Sequence, residues 1–400
     1  MRTTEVYLTD NAGWQTHIGT ANFSNVRSQV TTTFSYANTY LANPHAYAID
    51  PALPLVKSQH IIAGLPGAMR DSAPDAWGRN LIEHQRRYTA NHYSSDEVDF
   101  LLASDDFARI GNLRYAVAGT YVNNRPVIPK LIHIAEIMGE ADKVMTDPNA
   151  LEAIKQLLDV GSNTLGGARP KASVIDGDNL LLAKFPSPTD TISVINWEAA
   201  TLDMAKSAGI DIPGYRLITV AGKDVLLLDR FDRDGLKGRL GYLSARTMFG
   251  TARADYHDFP DMLSEICSDV NYQLAQMWRR IAFNVLVHNT DDHLRNHGLL
   301  RGDRGWVLSP AFDMNPTLSI GTPRQTPIAG AVSMSAEIPA LLDSARSFRL
   351  SYKQASAILK EVFEVVRDWS KYATDRGIPS AEIDAFTQVF TYHNQAVRKI

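Results

Sequence analysis

The sequence predicts an α+β protein with a strand-containing first half and a mainly helical second half. Residues 171–231 follow the pattern β-β-α-β-β, and apolar residues recur at helical spacing in most of the chain after residue 245. The chain has 400 residues, of which 44% are hydrophobic, so it can bury a substantial core. This length predicts two or three domains or lobes.

The N-terminal part is predicted to combine strands with short helices. Alternating β-rich residues predict strands over 3–9 and 30–36. Ser72, followed by Pro74 and Asp75, predicts the start of a helix over 72–87, and LPGAMRD before it is predicted to be a loop. Further helices are predicted over 95–104, 131–141 and 149–159, with linkers over 122–129 and 146–150.

The middle of the chain is predicted to be a small sheet with one helix. KASVIDGDNLLLAKF (171–185) indicates a hairpin with Asp176 and Gly177 as its turn. VINWEAATLDMAKSAG (194–209) indicates a helix that stops at Gly209, and YRLITVAGKDVLLLDRF (215–231) indicates strand, turn and strand.

Composition excludes several classes of protein. A net charge of −4 and a pI of about 6.3 are not typical of a protein that binds nucleic acid alone. The single cysteine, Cys267, excludes an internal disulfide and fits a reducing compartment. MRTTEVYLTDN lacks the apolar core of a secretion signal, and no apolar stretch approaches the ~20 residues that span a bilayer. We therefore expect a cytoplasmic protein without a membrane anchor.

A polar run, HNTDDHLRNH (288–297), lies between two apolar segments and carries the strongest functional signal. A helix predicted over 270–288 precedes it, with Leu274, Met277, Trp278, Ile281, Val285 and Leu286 on one apolar face. A short hairpin, GLLRGDRGWVLS, and then PAFDMNPT follow it. Asp291 and Asn296 are spaced as D-x-x-x-x-N, and Asp313 follows the hairpin.

This order resembles the catalytic loop of protein kinases. There an aspartate orients the substrate hydroxyl, and an asparagine and a later aspartate hold Mg²⁺. Hard oxygen ligands suit Mg²⁺ and leave room for water and phosphate oxygens. By the same comparison, Lys184 and Glu198 would form the lysine–glutamate pair, LLLDRFD would offer backbone groups to adenine, and GSNTLGGARPK (161–171) would cover the phosphates.

These segments together resemble the HipA family of serine/threonine kinases, the toxins of bacterial toxin–antitoxin modules. The similarity is carried by GSNTLGGARPKASV, LLLAKFPS, NWEAATLDMAKSAGI, LLLDRFDR, NTDDHLRNHG and LSPAFDMNPT, and by LPGAMRDSAPDAWGR in the N-terminal third. The resemblance implies a protein-kinase-like bilobal fold. It also implies a HipA-like N-terminal subdomain over 1–145, the ATP-binding part of the N-lobe over 146–235 and a helical catalytic C-lobe over 236–400.

The resemblance also implies a role for each matching residue. Asp291 would be the catalytic aspartate, and Asn296 and Asp313 would hold Mg²⁺ as well as contacting ATP. Thr164, or next Ser162, would be autophosphorylated. The remaining nucleotide-binding residues would be Gly166, Gly167, Ala168, Arg169, Pro170, Lys171, Lys184, Glu198, Asp229, Arg230, Phe231 and His293. Asp292 stands where a glycine can occur in the family, so Asp292 is an alternative to Asp291 as proton acceptor.

Partners are likewise implied by the family. The expected partner is a small helix-turn-helix antitoxin of the HipB type, with operator DNA bound only through that complex. The expected substrate is a translation-related protein such as an aminoacyl-tRNA synthetase. Two other functions remain open, namely a kinase-fold enzyme acting on a small molecule or lipid headgroup, and a non-catalytic corepressor. His293 and His297 are four residues apart, but the following GLL is predicted to be a strand and no H-E-x-x-H pattern is present, so we do not expect a zinc site at these histidines or at His288.

Overall fold

The computed structural model describes residues 2–27, 29–89, 95–124, 128–147, 150–159 and 169–400. The chain divides into two compact units. The first unit contains Met1–Thr189 and Ile218–Leu243, and the second contains Asp190–Leu217 and Ser244–Ile400. The predicted three-part division at residues 145 and 235 stays a prediction.

An antiparallel sheet of six strands opens the first unit. Its strands are β1 (Arg2–Thr9), β2 (Gln15–Val26), β3 (Gln29–Tyr36), β4 (Gln59–Ala63), β5 (Leu113–Val117) and β6 (Thr120–Tyr121), in the order β4-β3-β2-β1-β5-β6. The predicted strands over 3–9 and 30–36 are confirmed. Strand β2 was not predicted, because its small and polar residues hide the alternation between buried and exposed positions.

Helices of the first unit surround this sheet and its connections. They are α1 (Asn38–Leu41), α2 (Gly67–Asp71), α3 (Ala76–Thr89), α4 (Glu97–Ala103), α5 (Ile134–Thr146) and α6 (Leu151–Asp159). The prediction that LPGAMRD is a loop was wrong, since α2 lies within it. Its first turn is stabilised by Asp50, whose Oδ2 accepts a hydrogen bond from the Ala68 amide at 2.7 Å. This contact is distant in sequence, and Ser72 ends α2 rather than starting α3.

A second sheet of four strands also belongs largely to the first unit. It contains β7 (Lys171–Asp176), β8 (Asn179–Lys184), β9 (Tyr215–Val220) and β10 (Lys223–Asp229), in the order β7-β8-β10-β9. The predicted hairpin is confirmed, with its turn one residue later at Gly177 and Asp178, where Gly177 has a φ of +60°. Buried residues of α3, α5 and α6, including Leu81, Ile137 and Leu157, pack in one core with this sheet. Two short strands, β11 (Arg233–Asp234) and β12 (Gly238–Arg239), follow it.

The second unit is mainly helical, as predicted. Its helices are α7 (Val194–Ser207), α8 (Ala245–Phe249), α9 (Phe259–Ile266), α10 (Val270–Leu286), α11 (Met334–Ser344), α12 (Tyr352–Val366), α13 (Trp369–Asp375), α14 (Ser380–Thr391) and α15 (Asn394–Arg398). The amphipathic stretches over 351–373 and 380–399 are each predicted to form one helix, and each divides in two, near Arg367 and near Tyr392. Strand β13 (Tyr242–Ser244) marks the unit boundary, and β14 (Gly298–Gly302) and β15 (Gly305–Leu308) form the predicted hairpin.

Helix α7 is fixed to the C-terminal helices of the second unit by an aromatic cluster and one carboxylate. The Trp197 ring lies 4.2 Å from the Phe386 ring centroid and 6.3 Å from that of Trp369. Its indole Nε1 donates to Glu382 at 3.0 Å, and the Ser193 amide and hydroxyl donate to the same carboxylate at 2.9 and 2.8 Å. Glu382 thus satisfies a donor at the start of α7 that the helix itself cannot satisfy.

Within the described part of the chain, no helix is long and apolar enough to cross a membrane.

Candidate functional site

The polar run begins where the buried helix α10 ends in a left-handed residue. The Asn289 amide donates to the Asn284 carbonyl at 2.9 Å, and the His288 amide donates to the Val285 carbonyl at 3.1 Å. These two bonds define a Schellman ending, and His288 occupies its left-handed position with a φ of +55°. Glycine is usual there. The left-handed conformation of His288 is stabilised by its ring, whose Nε2–H group donates a hydrogen bond to the Ser319 carbonyl at 3.0 Å.

The turn after His288 brings Asp291, His293 and Asn296 together. The His293 amide donates to the Asp291 carbonyl at 2.8 Å, and the Asn296 amide nitrogen Nδ2 donates to the same carbonyl at 3.3 Å. Asn296 is buried and Asp291 is exposed. The five-residue spacing seen in the sequence therefore places both side chains in one compact loop.

Adjacent Asp292 has the opposite environment. Its side chain is buried, and Oδ2 accepts hydrogen bonds from the Tyr256 hydroxyl and from Asn284 Nδ2, the latter at 2.6 Å. His297 Nε2 lies 3.1 Å from the same oxygen. Burial favours the neutral acid, but the charge of His297 and these hydrogen bonds outweigh it and hold the pKa of Asp292 below its ordinary value. The Asp292 carboxylate is thus occupied by hydrogen bonds within the protein.

A segment distant in sequence, Arg324–Gln325–Thr326, lies along the same loop. The Thr326 hydroxyl donates to the Asp292 carbonyl at 2.6 Å, and the Gln325 amide donates to the Thr290 carbonyl at 2.9 Å. Arg324 Nη1 donates to the Asn289 carbonyl at 2.9 Å. Three carbonyls of the loop are therefore hydrogen-bonded to this segment.

The segment that carries Asp313 is fastened to both ends of this loop. Four residues before Asp313, the Ser309 amide donates to the Gly298 carbonyl at 2.8 Å. Four residues after it, the Thr317 amide donates to the His288 carbonyl at 2.9 Å. Asp313 itself has a φ of +58°, a left-handed conformation that aspartate tolerates better than most residues. Such backbone strain clusters at functional sites.

The donor set of this region fits Mg²⁺. Asn296 uses Nδ2 on the Asp291 carbonyl, which turns its amide oxygen away from that bond and leaves the oxygen able to act as a ligand. Asp313 supplies a half-buried carboxylate. Close to it in sequence, Asn315 Oδ1 is buried without a hydrogen-bond partner among the described residues. A bound cation or water satisfies an oxygen of this kind.

Two lysines face each other in the four-stranded sheet of the first unit. Lys171 on β7 and Lys184 on β8 are directly paired positions, so their side chains lie on the same face of the sheet. Lys171 is only 3% exposed and Lys184 is half-buried. Their position on one face of the sheet is compatible with the nucleotide-binding roles predicted for both residues.

Part of the segment predicted to contact adenine already makes hydrogen bonds within the protein. Asp229 is exposed at the end of β10, and the half-buried Phe231 ring lies 6.2 Å from the Tyr242 ring centroid. The amide of Arg230, however, donates to the Leu180 carbonyl at 3.1 Å. Its guanidinium donates to Asp232 at 2.7 Å. Arg230 therefore fixes the segment in place, and its amide and side chain are already used.

Asp232 is the centre of a buried ionic cluster around Arg230. It is fully buried and also accepts from Arg233 Nη1 at 2.5 Å and from the Gly111 amide at 2.7 Å. Burial alone would raise its pKa, but the charges of Arg230 and Arg233 outweigh burial and hold the pKa of Asp232 well below its ordinary value.

The remaining predicted residues lie in both units or outside the described part of the chain. Glu198 is buried on α7 in the second unit, and Lys184 belongs to the first unit. Arg169 is exposed, and the buried Pro170 accepts a hydrogen bond through its carbonyl from the Phe185 amide at 3.1 Å. The other loop residues, Ser162, Thr164, Gly166, Gly167 and Ala168, lie outside the described residues.

Sequence reasoning missed two kinds of residue at the site. Asn284 and Tyr256, which hold Asp292, lie in or before a helix that was interpreted as core alone. Arg324 and Gln325 lie in a stretch without a predicted element. The sequence carries no signal for them, because the burial of Arg324 and its acceptors are visible only in the structure.

An exposed carboxylate and an asparagine in one loop, with an aspartate in the segment fastened to both ends of that loop, are typical of a kinase-type protein. Residues 163–369 match the HipA-like C-terminal domain, and residues 11–115 match the HipA N-terminal domain. The chain therefore belongs to the HipA family.

Individual relatives agree with this membership. Toxin YjjJ of Escherichia coli (strain K12) is 26% identical over 281 residues, which cover 63% of this chain and 60% of that protein. A putative kinase of Haemophilus influenzae is 27% identical over 178 residues, which cover 38% of this chain and 51% of that protein. The chain thus spans less than two thirds of the length of these curated relatives.

A solved structure confirms the predicted α+β, protein-kinase-like fold. One chain of the Shewanella oneidensis MR-1 toxin–antitoxin complex of HipA, HipB and its operator DNA superposes with a TM-score of 0.72. The sequence identity is 15%, and the match covers 99% of both chains.

Proposed function

We propose that this protein is an ATP- and Mg²⁺-dependent serine/threonine protein kinase. The contrast between Asp291 and Asp292 carries the proposal. One carboxylate is exposed at the tip of a rigid loop, and its neighbour is buried and used to build that loop. A catalytic loop needs an accessible base on a fixed support.

The reaction assigned to Asp291 is proton acceptance from a serine or threonine hydroxyl. The hydroxyl oxygen forms a bond to the γ-phosphorus of ATP while the bond from that phosphorus to the β–γ bridging oxygen breaks. ADP leaves, and the hydroxyl proton passes to the Asp291 carboxylate. Asp291 also orients the hydroxyl. In a loose transition state this orientation contributes more to the rate than proton acceptance does.

Asn296 and Asp313 are the residues that would hold Mg²⁺, with Asn315 Oδ1 close in sequence. The ion supplies charge neutralisation at the phosphate oxygens. Lys171 and Lys184 would bind phosphate oxygens from the first unit, with Glu198 as the family partner of Lys184. Arg169 and Pro170, with the loop residues Gly166, Gly167 and Ala168, would line the same phosphates.

The proposed biological role is that of the toxin in a toxin–antitoxin module. Support comes from family membership, from a relative named as a toxin and from a structural neighbour solved with HipB and operator DNA. The partner would be a helix-turn-helix antitoxin of the HipB type. Operator DNA would be bound through that partner, in keeping with a net charge of −4. An aminoacyl-tRNA synthetase is the proposed substrate.

Autophosphorylation of Thr164, or next Ser162, is the proposed means of self-inhibition. A phosphate adds roughly −1.5 to −2 charges at neutral pH. Placed in a loop that cradles ATP phosphates, this charge would repel the nucleotide. Mass spectrometry after incubation with ATP should find phosphate on Thr164 or Ser162, and the modified protein should bind ATP poorly. Phosphate found only elsewhere would contradict the self-inhibition and leave the kinase function intact.

The kinase function is tested by incubating the protein with γ-labelled ATP and Mg²⁺, with and without a bacterial lysate. Label on a protein serine or threonine that is absent with Asp291→Asn would support the proposal. Label confined to small molecules or lipids would favour the alternative substrate class. No transfer to any acceptor, despite tight ATP binding, would favour the corepressor.

A further inference from the structure

Gln325 places its amide group directly on the Asp291 carboxylate. Gln325 Nε2 donates to Asp291 Oδ1 at 2.5 Å. Both side chains are exposed, so the contact lies at the open surface of the loop. Gln325 follows Asp313 in the chain and was not among the residues predicted from the sequence.

The backbone of Gln325 and its two neighbours are hydrogen-bonded to the loop that carries Asp291. Its own amide is bonded to the Thr290 carbonyl at 2.9 Å. On one side, the hydroxyl of buried Thr326 is bonded to the Asp292 carbonyl at 2.6 Å. The two residues thus contact the loop immediately before and immediately after Asp291.

On the other side, Arg324 anchors the segment in the interior. It is 3% exposed, and its Nη1 and Nη2 donate to the Asn289 and Asn284 carbonyls at 2.9 and 3.2 Å. Its Nε donates to Glu337 at 2.9 Å, which pairs the buried charge. Gln325 therefore reaches Asp291 from a support that is itself rigid.

We propose that Gln325 is a positioning residue for Asp291 in phosphoryl transfer. Its N–H group holds Oδ1, which leaves Oδ2 to face the substrate hydroxyl and accept its proton. A neutral amide suits this task because it donates a hydrogen bond and has no proton to give to the carboxylate at neutral pH. This inference rests on the proposed kinase function and adds a residue to it.

A merely structural role for Gln325 predicts a different outcome from a positioning role. An exposed hydrogen bond contributes little to folding, since water replaces either partner. Orientation of a reacting group, by contrast, strongly affects rate, and a misplacement of about 1 Å can cost roughly 10²-fold. Loss of Gln325 should therefore lower kcat without lowering the melting temperature.

The test compares variants of the full chain in the labelled-ATP assay with a peptide or protein acceptor found there. Gln325→Ala should lower kcat by roughly 10–10²-fold. Gln325→Glu, of equal size but without the donor, should lower it at least as much, because a carboxylate would face a carboxylate. Gln325→Lys, which restores a donor, should recover much of the loss. Gln388→Ala, at an exposed position of α14, is the matched control.

The KM for ATP and the melting temperature should stay within about twofold and about 2 °C of wild type in all four variants. The hydrogen bonds of Gln325 go to Asp291 and to the Thr290 carbonyl, neither of which binds nucleotide in the proposal. Wild-type kcat in both Gln325→Ala and Gln325→Glu would overturn the inference while leaving the kinase function standing. A fall in melting temperature that accounts for the lost activity would also overturn it. A wild-type protein without phosphoryl transfer would overturn the proposed function and this inference with it.

Discussion

Asp291 and Asp292 are neighbours in the chain with opposite surroundings. The first is exposed and accepts a hydrogen bond from Gln325 at 2.5 Å. The second is 2% exposed and lies within 3.1 Å of His297 Nε2. The family pattern alone left the choice between them open, and the difference in burial favours Asp291 as the proton acceptor.

The first prediction separates the two aspartates by their effects on rate and stability. Asp291→Asn should fold normally and lose phosphoryl transfer by ~10²–10⁴-fold, the usual range for a general base. Asp292→Asn should lower the melting temperature, because it disturbs the buried hydrogen bonds that Asp292 Oδ2 accepts from Tyr256 and Asn284. Labelled-ATP kinetics and thermal denaturation measure the two effects. An inactive but fully stable Asp292→Asn beside an active Asp291→Asn would reverse the assignment.

The second prediction concerns the metal ligands. Asp313→Ala should weaken binding of ATP in the presence of Mg²⁺ by roughly tenfold or more, since Mg²⁺ takes few ligands from protein. In EDTA the variant and the wild type should bind ATP equally weakly. Asp303→Ala, at an exposed aspartate in the turn between β14 and β15, is the control. Calorimetry that finds equal affinities for Asp313→Ala and wild type in Mg²⁺ would contradict the role of Asp313.

The third prediction uses the opposed lysines of the first unit. Lys184→Met should lose a charge-assisted contact with phosphate, worth about 1.5–3 kcal/mol, and bind ATP roughly tenfold to a hundredfold more weakly. Exposed Lys57→Met should bind like wild type. Titration with a fluorescent ATP analogue checks this. Affinity for adenosine should change little in either variant, because adenosine carries no phosphate, and a parallel loss of adenosine binding would point to misfolding.

The fourth prediction concerns Asp232 and the dependence of stability on pH. Removing the charge in Asp232→Asn leaves Arg230 and Arg233 buried without a counter-ion, which should cost roughly 3–5 kcal/mol at pH 7. Because the pKa of Asp232 is lowered by folding, its contribution is complete above the unfolded value of about 3.9 and is lost as pH falls towards the folded pKa.

The difference in unfolding free energy between wild type and Asp232→Asn should therefore be constant from pH 7 to about pH 5 and shrink below about pH 4. Urea denaturation at several pH values measures this difference. A gap that stays constant down to pH 3 would contradict the arrangement, because the unfolded carboxyl takes up its proton below about pH 4 however low the folded pKa lies. A gap that widens as the pH falls would contradict it as well.

The sequence was sufficient where local pattern determines structure. The hairpin with Gly177, the helix that stops at Gly209 and the buried face of α10 all follow from periodicity and turn residues. The D-x-x-x-x-N spacing also places Asn296 against Asp291, because five residues form one compact turn after a helix.

Contacts between distant residues account for what could not be predicted. Helix α2 depends on Asp50, which accepts a hydrogen bond from the Ala68 amide and lies eighteen residues before it. The burial of Asp292 depends on Tyr256, which lies 36 residues away, and the orientation of Asp291 depends on Gln325, which lies 34 residues away. Periodicity and spacing carry no information about such pairs, since each partner is an ordinary polar residue in its own surroundings.

The attachment of α7 to Glu382 affects how this protein can be shortened. The match to the HipA-like C-terminal domain stops at residue 369, and Glu382 lies beyond it on α14. A fragment trimmed to the matched residues would remove Phe386 from the side of Trp197 and leave the indole N–H without its acceptor. Trp197, now 1% exposed, would then be uncovered one residue away from Glu198. Expression of the matched region in isolation should therefore extend through α14, even though this helix contributes no predicted site residue.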